Sequence, residues 1–300
     1  MLHDTRRAVA GALRSRVVGP DAAQRAAEIW QKPGPRRFTA SDPIWRVHAD
    51  SSMFIGGIRA LLLQALHPLA MAGVADHSDY RGDPWGRLQR TSGFIATTTY
   101  AVDDDADRAV RIVRAVHKRV HGRTRDGREY DASDPHLLMW VHVAEIDSFL
   151  AAHQLFGKRP LTDDEADRYV AQTGATARAL GVLDPPRSVA ELADVLALYR
   201  PELESTPEAR EVAKFLMLRP PLPLPLVPAY SLLSSSAAGS LPSWALRMLH
   251  LPHVPRVTSM LTRPAGRLGA SGVRWLMSSV DLPEKHGKKS VPTPEPRPSI

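Results

Sequence analysis

Along most of this chain apolar residues recur three and four positions apart, the spacing that gives one face of an α-helix a continuous apolar stripe. The longest such stretch covers residues 53–74. Phe54, Ile58, Leu61, Leu62, Ala65 and Leu69 fall at helical spacing and the opposite face is also apolar, which predicts one long helix in the middle of the fold. Within it the pair Gly56-Gly57 fits close packing against another helix. A short helix is predicted from Pro20-Asp21 to Trp30, broken by Lys32-Pro-Gly-Pro. A loop over residues 79–84 precedes another buried helix, from Trp85 to about Thr99, whose Thr97-Thr98-Thr99 end has weak helix propensity.

Helix punctuation organises the rest. Asp103 or Asp104 caps a helix predicted to run to His121, with Gly122 at the stop position. Asp104, Asp105 and Asp107 suit its positive start, and Lys118 and Arg119 its negative end. Residues 123–131 read as a polar turn holding the tight-turn dipeptide Asp126-Gly127. Asp134-Pro135 opens a helix carrying Leu138, Val141, Ile146, Phe149 and Leu150. Thr162-Asp-Asp-Glu165 and Ser188-Val-Ala-Glu191 are capping boxes, and Gly181 ends the first of the two helices they open. Thr206-Pro207 starts a helix that stops before Arg219-Pro220. Residues 216–238 are apolar but contain Arg219 and five prolines, so they read as a Pro-rich loop packed on the core rather than a membrane span. Weaker helical patterns cover 243–249 and 268–276, and no strand alternation stands out. The expectation is an all-α, single globular multi-helix domain over residues 1–282, with a disordered Pro- and Lys-rich tail over 283–300.

Composition narrows the chemistry. The 300 residues include no Cys, which removes disulfides, thiolate metal sites and a Cys nucleophile. A metal or haem iron would need His, carboxylate, Met or Tyr ligands. The formal net charge of +7 is compatible with anionic partners, yet no compact nucleic-acid motif is present, so no nucleic acid is expected. The polar, Arg-rich start has no secretory apolar core; a cytoplasmic setting is the default, with peripheral membrane contact open.

Arg87, Arg90 and Thr91 share one helix face, where two guanidiniums and a hydroxyl suit a carboxylate or similar anion; the plainer alternative is an Arg pair bridging to Asp79 or Asp83. His117 and His121 are one helical turn apart but lack the Glu of a zinc-protease H-E-x-x-H. His117 borders the apolar stripe of Val110, Val113 and Val120, and is the better ligand candidate; His121 suits a helix-end charge. His67 and His142 lie in apolar helices, where a lone His is usually a satisfied core residue, and His77 could line an entrance. The paired Glu-x-x-His motifs of di-iron bundles are missing, as are dinucleotide, phosphate-loop and nucleophile-elbow patterns.

Taken in order, five segments resemble the MpaB-type and rubber-oxygenase (latex-clearing protein) catalytic domain. They are Q-A-L-H-P at 64–68, H-S-x-Y-R-x-D-P at 77–84, R-L-x-R-T at 87–91, H-x-x-V-x-G at 117–122 and Y-x-A-x-D-P-x-L-L-x-W-V-H at 130–142. Each is weak alone; the combination is specific. The resemblance covers residues 45–150 clearly and continues more loosely to about 248. It implies an all-α fold enclosing a b-type haem and an O2-dependent oxidation, or oxidative C=C cleavage, of an apolar, isoprenoid or lipid substrate. It also implies His117 as the iron ligand, with Arg87, Arg90 and Thr91 on the helix facing the haem and Arg90 and Thr91 shaping the catalytic side. Two departures stand out. Some rubber-cleaving relatives have a lysine at the position of Arg90, and Arg is a poor iron ligand. Those relatives also supply a Glu upstream of this segment, where this chain offers only Asp76, Asp79 and Asp83. A haem-binding sensor or carrier, or a haem-free helical binding module, are the competing readings.

Overall fold

In the computed structural model, which describes residues 22–78, 82–218, 222, 226–252 and 255–277, proline splits the long apolar run that the pattern predicts as one helix. Helices α1 (Ala22–Gln31) and α2 (Pro43–Ala49) come first, and the run itself forms α3 (Met53–Gln64) and α4 (Pro68–His77). The two meet at an angle of 107°. The cause is local. His67 precedes Pro68, whose ring disfavours the α region for its predecessor, and His67 adopts φ −87°, ψ 114°. Apolarity continues through the corner because both helices are core elements, so periodicity alone could not reveal the break.

Next come α5 (Pro84–Tyr100) and α6 (Asp103–His117), joined by Ala101 and Val102 and packed together. Pro20, Asp21 and Asp79 lie outside the described residues, so the predicted opening of α1 and the Asp79 bridge cannot be placed. Val102, not Asp103 or Asp104, is the N-cap residue of α6; the three aspartates Asp103–Asp105 occupy its first turn, where they favour the helix dipole.

The prediction that α6 runs to His121 with Gly122 as its stop is incorrect. The helix ends at His117, and His121–Arg123 is strand β1, antiparallel to β2 (Glu129–Asp131). Gly127 turns the hairpin at φ +88°. Gly122 serves a different purpose from a helix stop. It pairs with Tyr130, and a Cβ there would lie 2.6 Å from the Tyr130 hydroxyl oxygen. Strands of three residues are too short to display alternation, which is why the sequence shows none.

The C-terminal half follows the punctuation closely. It comprises α7 (Pro135–Phe156), α8 (Asp163–Leu180), α9 (Val189–Tyr199), a 3-10 turn (Arg200–Glu202), α10 (Pro207–Leu218), α11 (Val227–Gly239), α12 (Ser243–Met248) and α13 (Pro255–Met277). Asp134 caps α7 by accepting from His136 N, Thr162 and Glu165 form the reciprocal capping box of α8, and Gly181 ends α8 at φ +119°. The stretch 216–238, expected as a packed loop, is largely the end of α10 and the length of α11. The weak pattern at 268–276 belongs to the 23-residue α13, which tolerates Pro264 inside it. The predicted tail over 283–300 lies outside the described residues.

Among the described residues the chain is all-α apart from the small hairpin. Its centre is the α3–α7 pair, with α11 against α3, α13 against α11, and α8 and α9 against α7. Trp140, Tyr169, Leu62, Leu63 and Leu66 are sealed inside. Gly56 brings α3 against Phe149 and Ser148 of α7, as the glycine pair predicts, whereas nothing lies near a Cβ built on Gly57. Arg59 of α3 is also buried there and donates to Asp147 Oδ2 and Ser148 Oγ at 2.7 Å each. Among the described residues no single helix is long and apolar enough to cross a membrane.

Candidate functional site

One end of the fold gathers the motif residues. Arg87, in the first turns of α5, donates to Ser78 Oγ at 3.2 Å, at the close of α4. His77 Nε2 lies 3.3 Å from the carbonyl of His121, in β1. Tyr130, in β2, donates to Asp76 at 2.6 Å. The start of α5, the end of α4 and the hairpin that follows α6 are thereby tied together. His117 is the last residue of α6 and stands four residues before His121.

His117 is half-buried. Its Nδ1 is shut off from solvent with no hydrogen-bond partner. Burial lowers its basicity, against a smaller opposing pull from Asp131, so the ring is held toward its neutral form, which can donate a lone pair. The ring lines a recess of about 210 Å3, flanked by Arg114 and Lys118 on one side and Ser133, Leu180 and Gly181 on the other. Arg114 fixes the α8 side by donating to the carbonyl of Ala179 at 3.2 Å.

The other predicted residues are placed differently. Asp83 caps α5 through Gly86 N and lies 3.5 Å from Arg90 Nη1, both side chains being largely exposed. That is the plainer Arg–Asp reading of the motif, with Asp83 as the partner. Thr91 is exposed. Arg87 is partly buried at the α4 junction, where it donates to Ser78 Oγ. His121, expected as a charge at a helix end, is instead an exposed strand residue.

Two groups on α7 add to the picture. His142 Nε2 is buried without a hydrogen-bond partner, and burial, helped by Arg178, lowers its pKa to about 4. Three residues on, Glu145 occupies the same helix face. It is partly buried. Burial pushes its carboxyl up to about 7. Sequence reasoning passed over Glu145. Its signal was a carboxylate in a largely apolar stretch, one turn beyond a histidine.

A second cluster forms where α4 and α7 begin. His67, His136 and Glu202 bring one ligand atom each to within 4.8 Å of one another. His67 is 2% exposed. Spacing could not reveal this group, because Glu202 is 66 residues beyond His136 and 135 beyond His67 in the chain.

The profile of the family described as "ER-bound oxygenase mpaB/B'/Rubber oxygenase, catalytic domain" matches residues 45–275. The chain belongs to this family, and its matched region is an oxygenase-type catalytic domain. No curated protein and no solved structure shows a significant match.

The donor chemistry at His117 fits the haem that the family resemblance implies: a neutral imidazole with an orphaned buried nitrogen, among cations able to neutralise propionates. The recess itself, about 210 Å3, is smaller than the ~300–1,000 Å3 of ordinary cofactor pockets and does not enclose a whole haem.

Proposed function

We propose that this chain is a haem-b-dependent oxygenase that oxidises, or cleaves at a C=C bond, an apolar substrate of isoprenoid or lipid type. The observation that carries the reading is His117, a neutral, half-buried imidazole with an unpaired Nδ1, inside the region matched by the oxygenase family. Bound haem would supply the iron centre at which O2 reacts.

The protein's own groups divide the remaining work. His117 presents a nitrogen lone pair, because burial keeps the ring unprotonated at neutral pH. Arg87 and Arg90 offer planar guanidiniums suited to carboxylates such as propionates, and Thr91 offers a hydroxyl to a bound oxygen. Glu145 provides what the segment before Arg87 lacks, a buried carboxyl able to hold or release a proton near pH 7. His142 stays neutral one turn away and can accept a hydrogen bond at Nε2.

The test is the absorption spectrum of protein purified with ample haem supply, before and after dithionite, beside His117→Ala. A Soret band that shifts on reduction and is lost in the variant is the expected result. A colourless protein that also refuses added haemin would overturn the haem reading. Haem binding without O2 consumption across a panel of isoprenoid and lipid substrates would move the chain to a sensor or carrier.

A further inference from the structure

Three backbone segments converge on one buried histidine. His67 is the extended residue at the α3–α4 corner, His136 is the second residue of α7, and Glu202 closes the 3-10 turn after α9. The backbone fixes the meeting: Glu204 N donates to the Leu66 carbonyl at 2.8 Å, and Trp140 Nε1 donates to the Gln64 carbonyl at 3.2 Å. Trp140 and Tyr199 wall the cluster, their rings 6.0 and 6.2 Å from that of His67.

An ordinary surface ion pair accounts for only part of this. His136 Nε2 lies 2.8 and 3.0 Å from the two oxygens of Glu202, with both side chains about half exposed. His67 is different. Its Nε2 is 3.4 Å from Glu202 Oε2, close enough for an ion pair but outside hydrogen-bond geometry, and its Nδ1 has no partner, so neither nitrogen of a nearly inaccessible ring is hydrogen-bonded. Leaving buried polar atoms unpaired costs about 1–3 kcal/mol each, so such atoms call for a specific cause.

The tautomer of His136 supplies the second argument. The Tyr199 hydroxyl donates to the His136 carbonyl at 2.7 Å and lies 3.2 Å from His136 Nδ1. Its single proton is therefore committed, and it can only accept from Nδ1–H. In the neutral ring, Nε2 then carries the lone pair and faces a carboxylate. Two acceptors in contact need a cation between them, either a proton or a metal ion. The arrangement of an outer hydrogen-bond partner on one nitrogen and a free lone pair on the other is how metal-ligating histidines are held.

We propose that His67, His136 and Glu202 bind one divalent transition-metal ion, at a site separate from His117. Ligand bonds of 2.0–2.2 Å in tetrahedral geometry place donor atoms roughly 3.3–3.6 Å apart. The His67–Glu202 separation of 3.4 Å already matches this. The His136–Glu202 contact must open by about half an ångström, which two half-exposed side chains can accommodate. Two nitrogens and one carboxylate suit Zn2+ or Fe2+, and the open side, toward solvent, leaves positions for water.

Full-length protein stripped with chelator should take up one equivalent of Co2+, used as a visible probe, and of Zn2+. Fe2+ added without air should compete for the same site. His136→Ala and Glu202→Gln alter half-exposed groups, so both should fold, and each should weaken binding by at least ~100-fold. Tyr199→Phe keeps all three ligands and should weaken it by about 10–100-fold, an effect that tests the tautomer argument. His117→Ala should bind the metal as the parent does, which separates this site from the haem reading. Elemental analysis of His117→Ala purified without chelator, in which haem iron is removed from the count, then tells zinc from iron. Failure of the parent to bind an equivalent, or binding unchanged in both His136→Ala and Glu202→Gln, would overturn the proposal.

Discussion

Replacing Gly56 with alanine should destabilise the protein, while the same change one residue later, at Gly57, should stabilise it. A Cβ at Gly56 would sit 3.0 Å from Phe149 Cδ1, 3.2 Å from Phe149 Cα and 3.3 Å from the Ser148 carbonyl oxygen. The ring can swing away, but the two backbone atoms belong to α7 and move only if the α3–α7 pair separates. Overpacking of this kind costs about 1–3 kcal/mol. Alanine in a helix interior recovers about 0.5–1 kcal/mol of that through its lower backbone entropy. The net at Gly56 is a loss of about 0.5–2 kcal/mol. At Gly57 no atom lies within 4 Å of the added carbon, so only the gain remains. The two variants should therefore differ by about 1–3 kcal/mol, or roughly 1.5–5 °C in Tm for a chain of this length. Urea and thermal unfolding followed by circular dichroism measure this directly. If Gly56→Ala melts at or above Gly57→Ala, the close approach of α3 to α7 is misplaced and the argument from it fails.

Thr162→Ala removes one half of the α8 capping box and should cost about 1 kcal/mol in urea unfolding, whereas Thr162→Ser should cost much less. Asp147→Ala leaves the Arg59 guanidinium buried without its carboxylate and should cost about 3 kcal/mol, with Asp147→Ala/Arg59→Met recovering most of the loss. Glu145 binds a proton up to about pH 7 when folded but only to its ordinary 4.5 when unfolded, so stability should fall as pH rises between those values. Glu145→Gln should abolish that slope and be more stable than the parent by a few kcal/mol near pH 8; equal slopes in the two proteins would rule out the buried carboxyl. His48 runs the other way: burial lowers it from 6.5 to about 3, so the stability it contributes is present above pH 6.5 and lost as pH falls toward 3. His48→Gln should flatten the acid limb of a stability–pH curve, and an unchanged acid limb would argue against a neutral His48 in the core.

Elements closed by short-range chemistry were the legible ones. Thr162 with Glu165, Asp134 before Pro135, and Gly181 each act within four residues, and each stands where the sequence puts it. The break at His67-Pro68 was hidden because both arms are apolar; only the proline marked it, through the restriction it places on its predecessor. The hairpin was hidden for the opposite reason, since its strands are too short for any period to register. His117 was singled out beside the stripe of a helix expected to reach His121, but the helix ends at His117, so half-burial against a recess, not that stripe, sets it apart from exposed His121. Glu145 and Glu202 were not singled out. The first becomes distinctive only once burial is known, and the second only once the chain has brought it back to His67 and His136.

The distribution of polar groups along α7 links these observations. This helix is apolar enough to fill the core, yet it carries His136 at its start, His142 and Glu145 roughly 1.7 and 2.5 turns further in, and Asp147 against buried Arg59. Each exception is unfavourable by itself, since charged and hydrogen-bonding groups resist burial. Asp147 is compensated by an ion pair and His136 by Glu202 and Tyr199. His142 and Glu145 have no hydrogen-bond partner among the described residues. His142 Nε2, like His153 Nδ1 further along the same helix, is buried without a partner, and a polar group bound beside His142 and Glu145 would offset the cost of burying them. That is the physical reason to look for substrate, cofactor or ordered water against the face of α7 that bears His142 and Glu145.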